Sequence, residues 1–104
     1  MIVKTRETTV RHYAYTANHT PIGEAQIHGG SRVFEIWGFE IYPPFQRAGH
    51  GEAFYRLLEA CIPRNTSVVL WVKPDNEEGL AFWRAMGFEA GFASIRGYRM
   101  YKEI

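Results

Sequence analysis

Phe34-Glu35-Ile36-Trp37-Gly38-Phe39-Glu40-Ile41-Tyr42 runs through Pro43-Pro44-Phe45 into Gln46-Arg47-Ala48-Gly49-His50-Gly51-Glu52, and a helical pattern carries on past Leu58. An apolar run of this length, closed by a Pro-Pro turn, predicts a strand over 32–42. In a regular strand Phe34, Ile36 and Tyr42 share one face, and Val33, Trp37, Phe39 and Ile41 share the other. Apolar residues on both faces predict a central strand covered on both sides. The turn after it joins a strand end to a helix over 51–62. Such a turn aims several backbone N–H groups into one small space, and the helix dipole adds about half a positive charge. The expected ligand is a phosphate or pyrophosphate, with Gly49 and Gly51 removing Cβ atoms that would hold an anion away.

Two common phosphate loops are excluded by their chemistry. A Walker loop ends in Gly-Lys-Ser/Thr, where this chain has His50-Gly51-Glu52. A dinucleotide fingerprint needs a third glycine where Phe54 stands. Further along, Ser67-Val68-Val69-Leu70-Trp71-Val72 reads as a buried strand. Asp75 or Asn76 then caps a helix over 77–86, which Gly87 ends before Phe88 opens another strand. Upstream, 9–17 and 22–28 flank a turn at Asn18 to Pro21 and predict a hairpin, followed by a turn at Gly29-Gly30-Ser31. Downstream, 88–94 and 98–104 form a last strand pair. The order is strand, strand, strand, helix, strand, helix, strand, strand, which predicts an α/β chain with a mixed sheet.

Gln46-Arg47-Ala48-Gly49-His50-Gly51 resembles the acetyl-CoA loop of the GNAT N-acetyltransferase superfamily, Gln/Arg-x-x-Gly-x-Gly/Ala. Asn76-Glu77-Glu78-Gly79-Leu80-Ala81-Phe82-Trp83-Arg84-Ala85-Met86-Gly87-Phe88 resembles its second signature, Asn-x-x-Ala-x-x-Phe-Tyr-x-x-x-Gly-Phe. Both occur in the family's order, and the resemblance covers about residues 10–104. It implies a GNAT-like acyl-CoA N-acyltransferase fold (α+β), with a mixed central sheet and flanking helices. The implied activity is transfer of acetyl from acetyl-CoA to an amine by direct attack. An alternative is a CoA-binding regulatory or interaction module derived from such an enzyme.

The same resemblance assigns roles. It puts Gln46, Arg47, Ala48, Gly49, His50, Gly51 and Glu52 on the pyrophosphate, and the Phe39 and Ile41 backbone with the Asn76 side chain on the pantetheine arm. Phe82 and Trp83 join the cofactor site, and the Phe39 N–H faces the developing oxyanion. Glu35, eleven residues before Gln46, stands where some histone-type members carry a catalytic glutamate, with Glu40 as the alternative base. Trp83 occupies the place of the tyrosine that usually protonates the leaving thiolate and offers only an indole N–H. Tyr98 and Tyr101 are the candidate substitutes. Family members usually carry another strand and two helices before the hairpin, whereas this chain has about eight residues there. The resemblance therefore implies a short form whose acceptor site is open or is completed by a second subunit, as in a homodimer.

Composition narrows the class. The 104 residues make one domain, 1–104, near the lower limit for a self-sufficient core. With 46% hydrophobic and 15% aromatic residues the chain is not disordered. A formal charge of +1 provides no broad footprint for nucleic acid, so any anion site is local. Cys61 is the single cysteine, and its helical spacing with Phe54, Leu57 and Leu58 predicts a core thiol. His12, His19, His28 and His50 fall in no metal-binding spacing, and no metal is expected. The N-terminal Met1-Ile2-Val3-Lys4-Thr5-Arg6 has no apolar h-region, and no run reaches membrane length. The expected location is the cytoplasm.

Overall fold

The computed structural model describes residues 9–104. Strands β1 (Thr9–Ala17) and β2 (Thr20–Gly29) form a hairpin around Asn18-His19, and β3 (Val33–Ile41) adds antiparallel to β2. Both hairpin residues have positive φ, 52° and 65°, the primed geometry that matches strand twist. A short 3-10 turn, Pro43–Phe45, leads to helix α1 (His50–Ala60). Strand β4 (Ser67–Val72), helix α2 (Glu77–Ala85) and strands β5 (Glu89–Ser94) and β6 (Gly97–Glu103) complete the chain. The six strands lie in the order β1-β2-β3-β4-β6-β5, with β3 and β4 parallel and every other pair antiparallel.

Both helices cover one face of this sheet. Phe54, Tyr55 and Leu58 of α1 and Trp83 of α2, with Met86 after it, share one cluster with Ala25, Ile27, Ile36, Val68, Leu70, Val72 and Met100. Their periodicity explains the choice of face: 54, 55 and 58 recur at helical spacing, while 68, 70 and 72 alternate along β4. Cys61 does not join them. The sequence predicts a core thiol there, but Cys61 is exposed at the C-terminal end of α1, and Leu57 is 58% exposed. The buried stripe runs 54, 55, 58 and 62, so residues 57 and 61 sit one step round the helix, on its flank.

The second sheet face has no helix on it among the described residues, which corrects the expectation that β3 is covered on both sides. Val33 and Trp37 of β3 are 49% and 44% exposed. Partial cover comes from side-chain stacking instead, with the Trp37 ring 4.8 Å from that of His28.

One charged group fastens the helical layer to the sheet. Lys102 of β6 donates from Nζ to Glu59 Oε1 of α1 and to the Met86 carbonyl beyond α2, each at 2.8 Å. The lysine and glutamate side chains are only 17% and 26% exposed. Burial raises the Glu59 pKa, but the Lys102 hydrogen bond, the Tyr55 hydroxyl and the charges of Lys102 and Arg56 outweigh it and hold the carboxyl below its ordinary value. Tyr55 Oη makes no hydrogen bond of good geometry, so it acts on Glu59 as a nearby dipole. A carboxyl lowered in the folded state stabilises the fold above its unfolded pKa and loses that contribution as pH falls through the folded value. Glu59→Gln is therefore expected to cost about 1–2 kcal/mol at pH 7, roughly a 4–15 °C fall in Tm. The gap between variant and parent should close in acid below the ordinary glutamate range, and thermal melts across pH 3–7 measure it.

Candidate functional site

Strands β3 and β4 pair over three residues only, Val33, Phe34 and Glu35 with Ser67, Val68 and Val69. Beyond Glu35 they part. The gap is a cleft of about 310 Å³ lined by Ile36, Gly38, Phe39, Leu70, Trp71, Val72, Lys73, Asn76 and Trp83. The cause of the parting lies in β3. Its register with β2 steps from Gln26–Trp37 to Glu24–Glu40, so Gly38 and Phe39 together oppose Ala25. This is a β-bulge, and Gly38 takes φ 59° to make it.

The bulge reverses the alternation predicted for a regular strand. Phe39 and Ile41 join Phe34 and Ile36 against the helices, instead of facing away with Val33 and Trp37. Phe39 then meets Phe54 at 5.2 Å, Phe82 at 5.7 Å and Trp83 at 5.0 Å between ring centroids. The same step brings Glu40 to the open face with Glu35, where a regular strand would separate them. Tyr42 N–H donates to the Ile22 carbonyl of β2. Backbone groups alternate in direction along a strand, so those of Phe39 and Ile41 point the other way, towards the cleft that β4 has vacated.

The turn between β3 and α1 carries the second feature. Among the described residues, no N–H from Arg47 to Glu52 bonds to a backbone carbonyl; the first such bond runs from Ala53 N–H to Gly49 C=O. Gly49 caps the helix with φ 81°, and Arg47 also has positive φ at 64°. The Gln46 side chain donates to the Ile41 carbonyl at 2.8 Å and closes the turn onto the end of β3. A Cβ on Gly49 would meet nothing, so this glycine serves the backbone angle. A Cβ on Gly51 would lie 3.1 Å from the Phe82 ring, so its absence also lets the two helices approach. Arg47 bonds Glu78 of α2 at 2.6 Å across fully solvated surface, which ties the two helix starts together.

Asn76 and Trp83 complete the cleft wall. The Asn76 side-chain oxygen accepts from Gly79 N–H at 2.9 Å and caps α2, leaving its amide group for the cleft. The signature alanine position holds Gly79, whose Cβ would collide with the Asn76 amide. Trp83 is 7% exposed and packs edge-on against Phe39, Tyr55, Phe82 and Phe88. Neither Tyr98 nor Tyr101 lines the cleft. Glu35 stays outside it, 27% exposed on the open face, with Arg96 Nη2 at 3.7 Å from Oε2. The predicted site residues thus converge at one end of the β3–β4 gap, except for Glu35 and Glu40, which lie on the open side.

Sequence reading left out three residues. Gly38 makes the bulge, and an isolated glycine within a strand is the signal for one. Trp71 forms the β4 wall. Arg96, on the β5–β6 turn, reaches both Trp71 and Glu35, and no local pattern announces a contact across three strands. Among the described residues no group of three or more histidine, cysteine, aspartate or glutamate side chains is placed to hold a metal ion. No described helix is long and apolar enough to cross a membrane.

Comparisons with known proteins agree with this geometry. The PaiA N-acetyltransferase of Thermoplasma acidophilum, solved with coenzyme A, superposes with a TM-score of 0.73 at 19% identity, covering 91% of this chain and 61% of its own. Arabidopsis thaliana Naa50, solved with a CoA-Ac-MVNAL bisubstrate analogue, gives 0.76 at 18% identity over 89% of this chain and 72% of that one. Ard1 of Thermoplasma volcanium gives 0.70 at 27% identity over 86% and 67%. The chain thus spans about three-fifths to three-quarters of these neighbours' lengths. A sequence search among proteins of curated function gives no significant match. The profile of the acetyltransferase (GNAT) family matches residues 4–88. A mixed sheet whose parallel strands part beside a donor-rich turn, matched by that profile over most of its length, places this chain in the GNAT acetyltransferase family.

Proposed function

We propose that the protein moves an acetyl group from acetyl-CoA to an amine by direct attack. The observation that carries this reading is the cleft opened at the Gly38 bulge, with the unpaired N–H groups of residues 47–52 at its end. Those donors fit a pyrophosphate: three or four charge-assisted bonds at about 1.5–3 kcal/mol each total roughly 5–12 kcal/mol, the upper end of which reaches micromolar affinity after association costs of about 4 kcal/mol. In this reading the Phe39 and Ile41 backbone groups pair with the pantetheine amides, and the free amide of Asn76 adds a donor. Phe82 and Trp83 form the apolar floor. The thioester supplies an electrophilic carbonyl, and the Phe39 N–H is the donor aimed at the charge that develops on its oxygen. A single such donor is typically worth about 10²–10³ in rate.

The nucleophile must be neutral. An alkyl ammonium is only about one part in 2,500 free amine at pH 7, so a proton acceptor near the open mouth of the cleft speeds attack. We assign that part to Glu35, with Glu40 as the second choice, since both carboxylates face the open side. Among the described residues no tyrosine lines the cleft, so the departing thiolate has no phenol beside it. Trp83 is held by four aromatic neighbours as a packing group, and a thiol of pKa about 8.5 leaves tolerably without an acid. The competing reading, a CoA-binding module without turnover, draws on that missing hydroxyl.

The exposed side chains of Val10, Val33, Trp37 and Phe92 support a homodimer whose second subunit helps to wall the acceptor side. Sedimentation at micromolar concentration is expected to give a dimer mass, and Trp37→Glu a monomer. A monomer for the parent chain sinks the dimer.

Two measurements address the chemistry. Calorimetry should detect acetyl-CoA binding at micromolar Kd, and a thiol-trapping assay across peptides, polyamines and small amines should detect CoA release. Tight binding with no release across the whole panel favours the module. Trp83→Tyr restores a hydroxyl at the signature position and is expected to raise kcat by about tenfold or more, while the smaller ring costs about 1–2 kcal/mol of stability. A kcat that does not rise, in a variant that folds, excludes a missing acid as the limit.

A further inference from the structure

On the open sheet face the Arg96 guanidinium carbon lies 4.5 Å from the centre of the Trp71 ring, and Arg96 Nη2 lies 3.7 Å from Glu35 Oε2. Trp71 belongs to β4 and also forms a wall of the cleft. Glu35 belongs to β3 and is the last residue paired with β4 before the strands part. Arg96 therefore reaches over from the β5–β6 turn and lies across the root of the gap, one cation held between an aromatic face and a carboxylate. Phe92 props Trp71 from the side, 5.9 Å between ring centres.

We propose that Trp71 and Glu35 form a cation subsite for the acceptor, which Arg96 fills from within until an acceptor ammonium displaces it. Three observations favour a cationic occupant. An electron-rich ring face and a carboxylate on the two sides of one space are the two groups that attract an alkylammonium. Register places Glu24, Glu40, Glu89 and Glu103 on the same face, because residues directly opposite in the ladder share a face. Against these the strands set Arg99, which stands opposite Trp71. The Arg96 side chain is 53% exposed, and an ion pair so solvated is weakly held and readily exchanged. An incoming ammonium replaces the guanidinium charge for charge, whereas an uncharged acceptor leaves the partly buried Glu35 carboxylate without a partner. Arg96 then competes for the subsite with cationic acceptors only, because an uncharged one gains nothing from Glu35 and does not displace the guanidinium.

The kinetic arm of the test rests on the transferase reading, and the binding arm does not. In 1H–15N spectra of the parent protein, butylammonium at pH 7 should shift the Trp71 indole signal, assigned by its loss in Trp71→Phe, and isosteric 1-butanol should not. In Arg96→Ala the same shift should saturate at about three- to tenfold lower butylammonium concentration, while Arg96→Lys should titrate like the parent. Glu35→Gln in the Arg96→Ala background should narrow the difference between butylammonium and butanol to what the Trp71 face alone provides. If acetyl transfer is observed, KM for 1,4-diaminobutane should fall in Arg96→Ala by the same factor. KM for p-anisidine, uncharged at pH 7, should not fall. Loss of acetyl-CoA binding with the indole response intact sinks the transferase reading and leaves the subsite standing. An indole signal indifferent to butylammonium in both the parent and Arg96→Ala overturns the subsite, as does an Arg96→Ala variant that weakens for cationic and uncharged ligands alike. Tighter binding of glutamate than of butylammonium, lost in Arg96→Ala, also overturns it, since Arg96 would then anchor an anion.

Discussion

Everything in this molecule follows from two parallel strands that begin as neighbours and then stop pairing. A parallel ladder broken after three residues leaves backbone donors and acceptors facing empty space, and such groups are costly unless water or a ligand meets them. The divergence persists because the bulge at Gly38 redirects β3. It moves Phe39 and Ile41 onto the helix face, where Phe39 wedges between Phe54, Phe82 and Trp83. Restoring a regular strand would pull that ring out of an aromatic cluster and expose it. Each such aromatic pair contributes about 0.5–1.5 kcal/mol beyond its buried area, enough to offset the lost ladder bonds. An open edge inside a sheet is thus a stable feature, and it is the structural requirement for holding an extended, amide-bearing ligand by its backbone.

Electrostatics at the helix starts is more balanced than a phosphate site would suggest. The N–H donors of the 47–52 turn and the α1 dipole favour an anion, yet Glu52 stands in the first turn of α1, with Glu77 and Glu78 in that of α2. Arg47 is engaged with Glu78, both about four-fifths exposed. Exposed pairs of this kind are worth little, so the arginine can turn to an incoming anion at small cost. The permanent part of the attraction is therefore the backbone. Main-chain donors fixed by φ angles of 64° at Arg47 and 81° at Gly49 need no rearrangement and cannot be neutralised by a neighbouring carboxylate.

Much of this was legible in the chain. The hairpin, both helices and the closing strand pair follow from alternation, caps and glycines, with boundaries moved by a residue or two. The turn at 46–52 announces its chemistry through composition alone. What alternation misplaces is whatever lies beyond the bulge: one extra residue inverts every later face, so regular alternation puts Phe39 and Ile41 on the wrong side of the sheet. Alternation of a different kind, the helical period, misplaces Cys61. Four apolar residues at spacings of three and four define an arc wider than the contact a short helix makes, and the edge of that arc stays wet. The expectation of cover on both faces fails because Val33 and Trp37 are apolar without being buried, the weaker direction of the rule linking the two.

The open face also has a consequence for the direction of approach. Helices α1 and α2 fill the other side of the sheet, and the donor-rich turn sits among them, so a cofactor held there lies on the helix side of the β3–β4 gap. In the proposed reaction the acceptor then comes from the opposite side. There the first groups it meets at the gap are Trp71, Glu35 and the Arg96 that spans them. Two reactants brought to one opening from opposite faces need no covalent relay through the protein, since the gap itself is where they touch. On the proposed reading, geometry of this kind suits direct transfer, with the sheet supplying the donors and the partition between the two ligands.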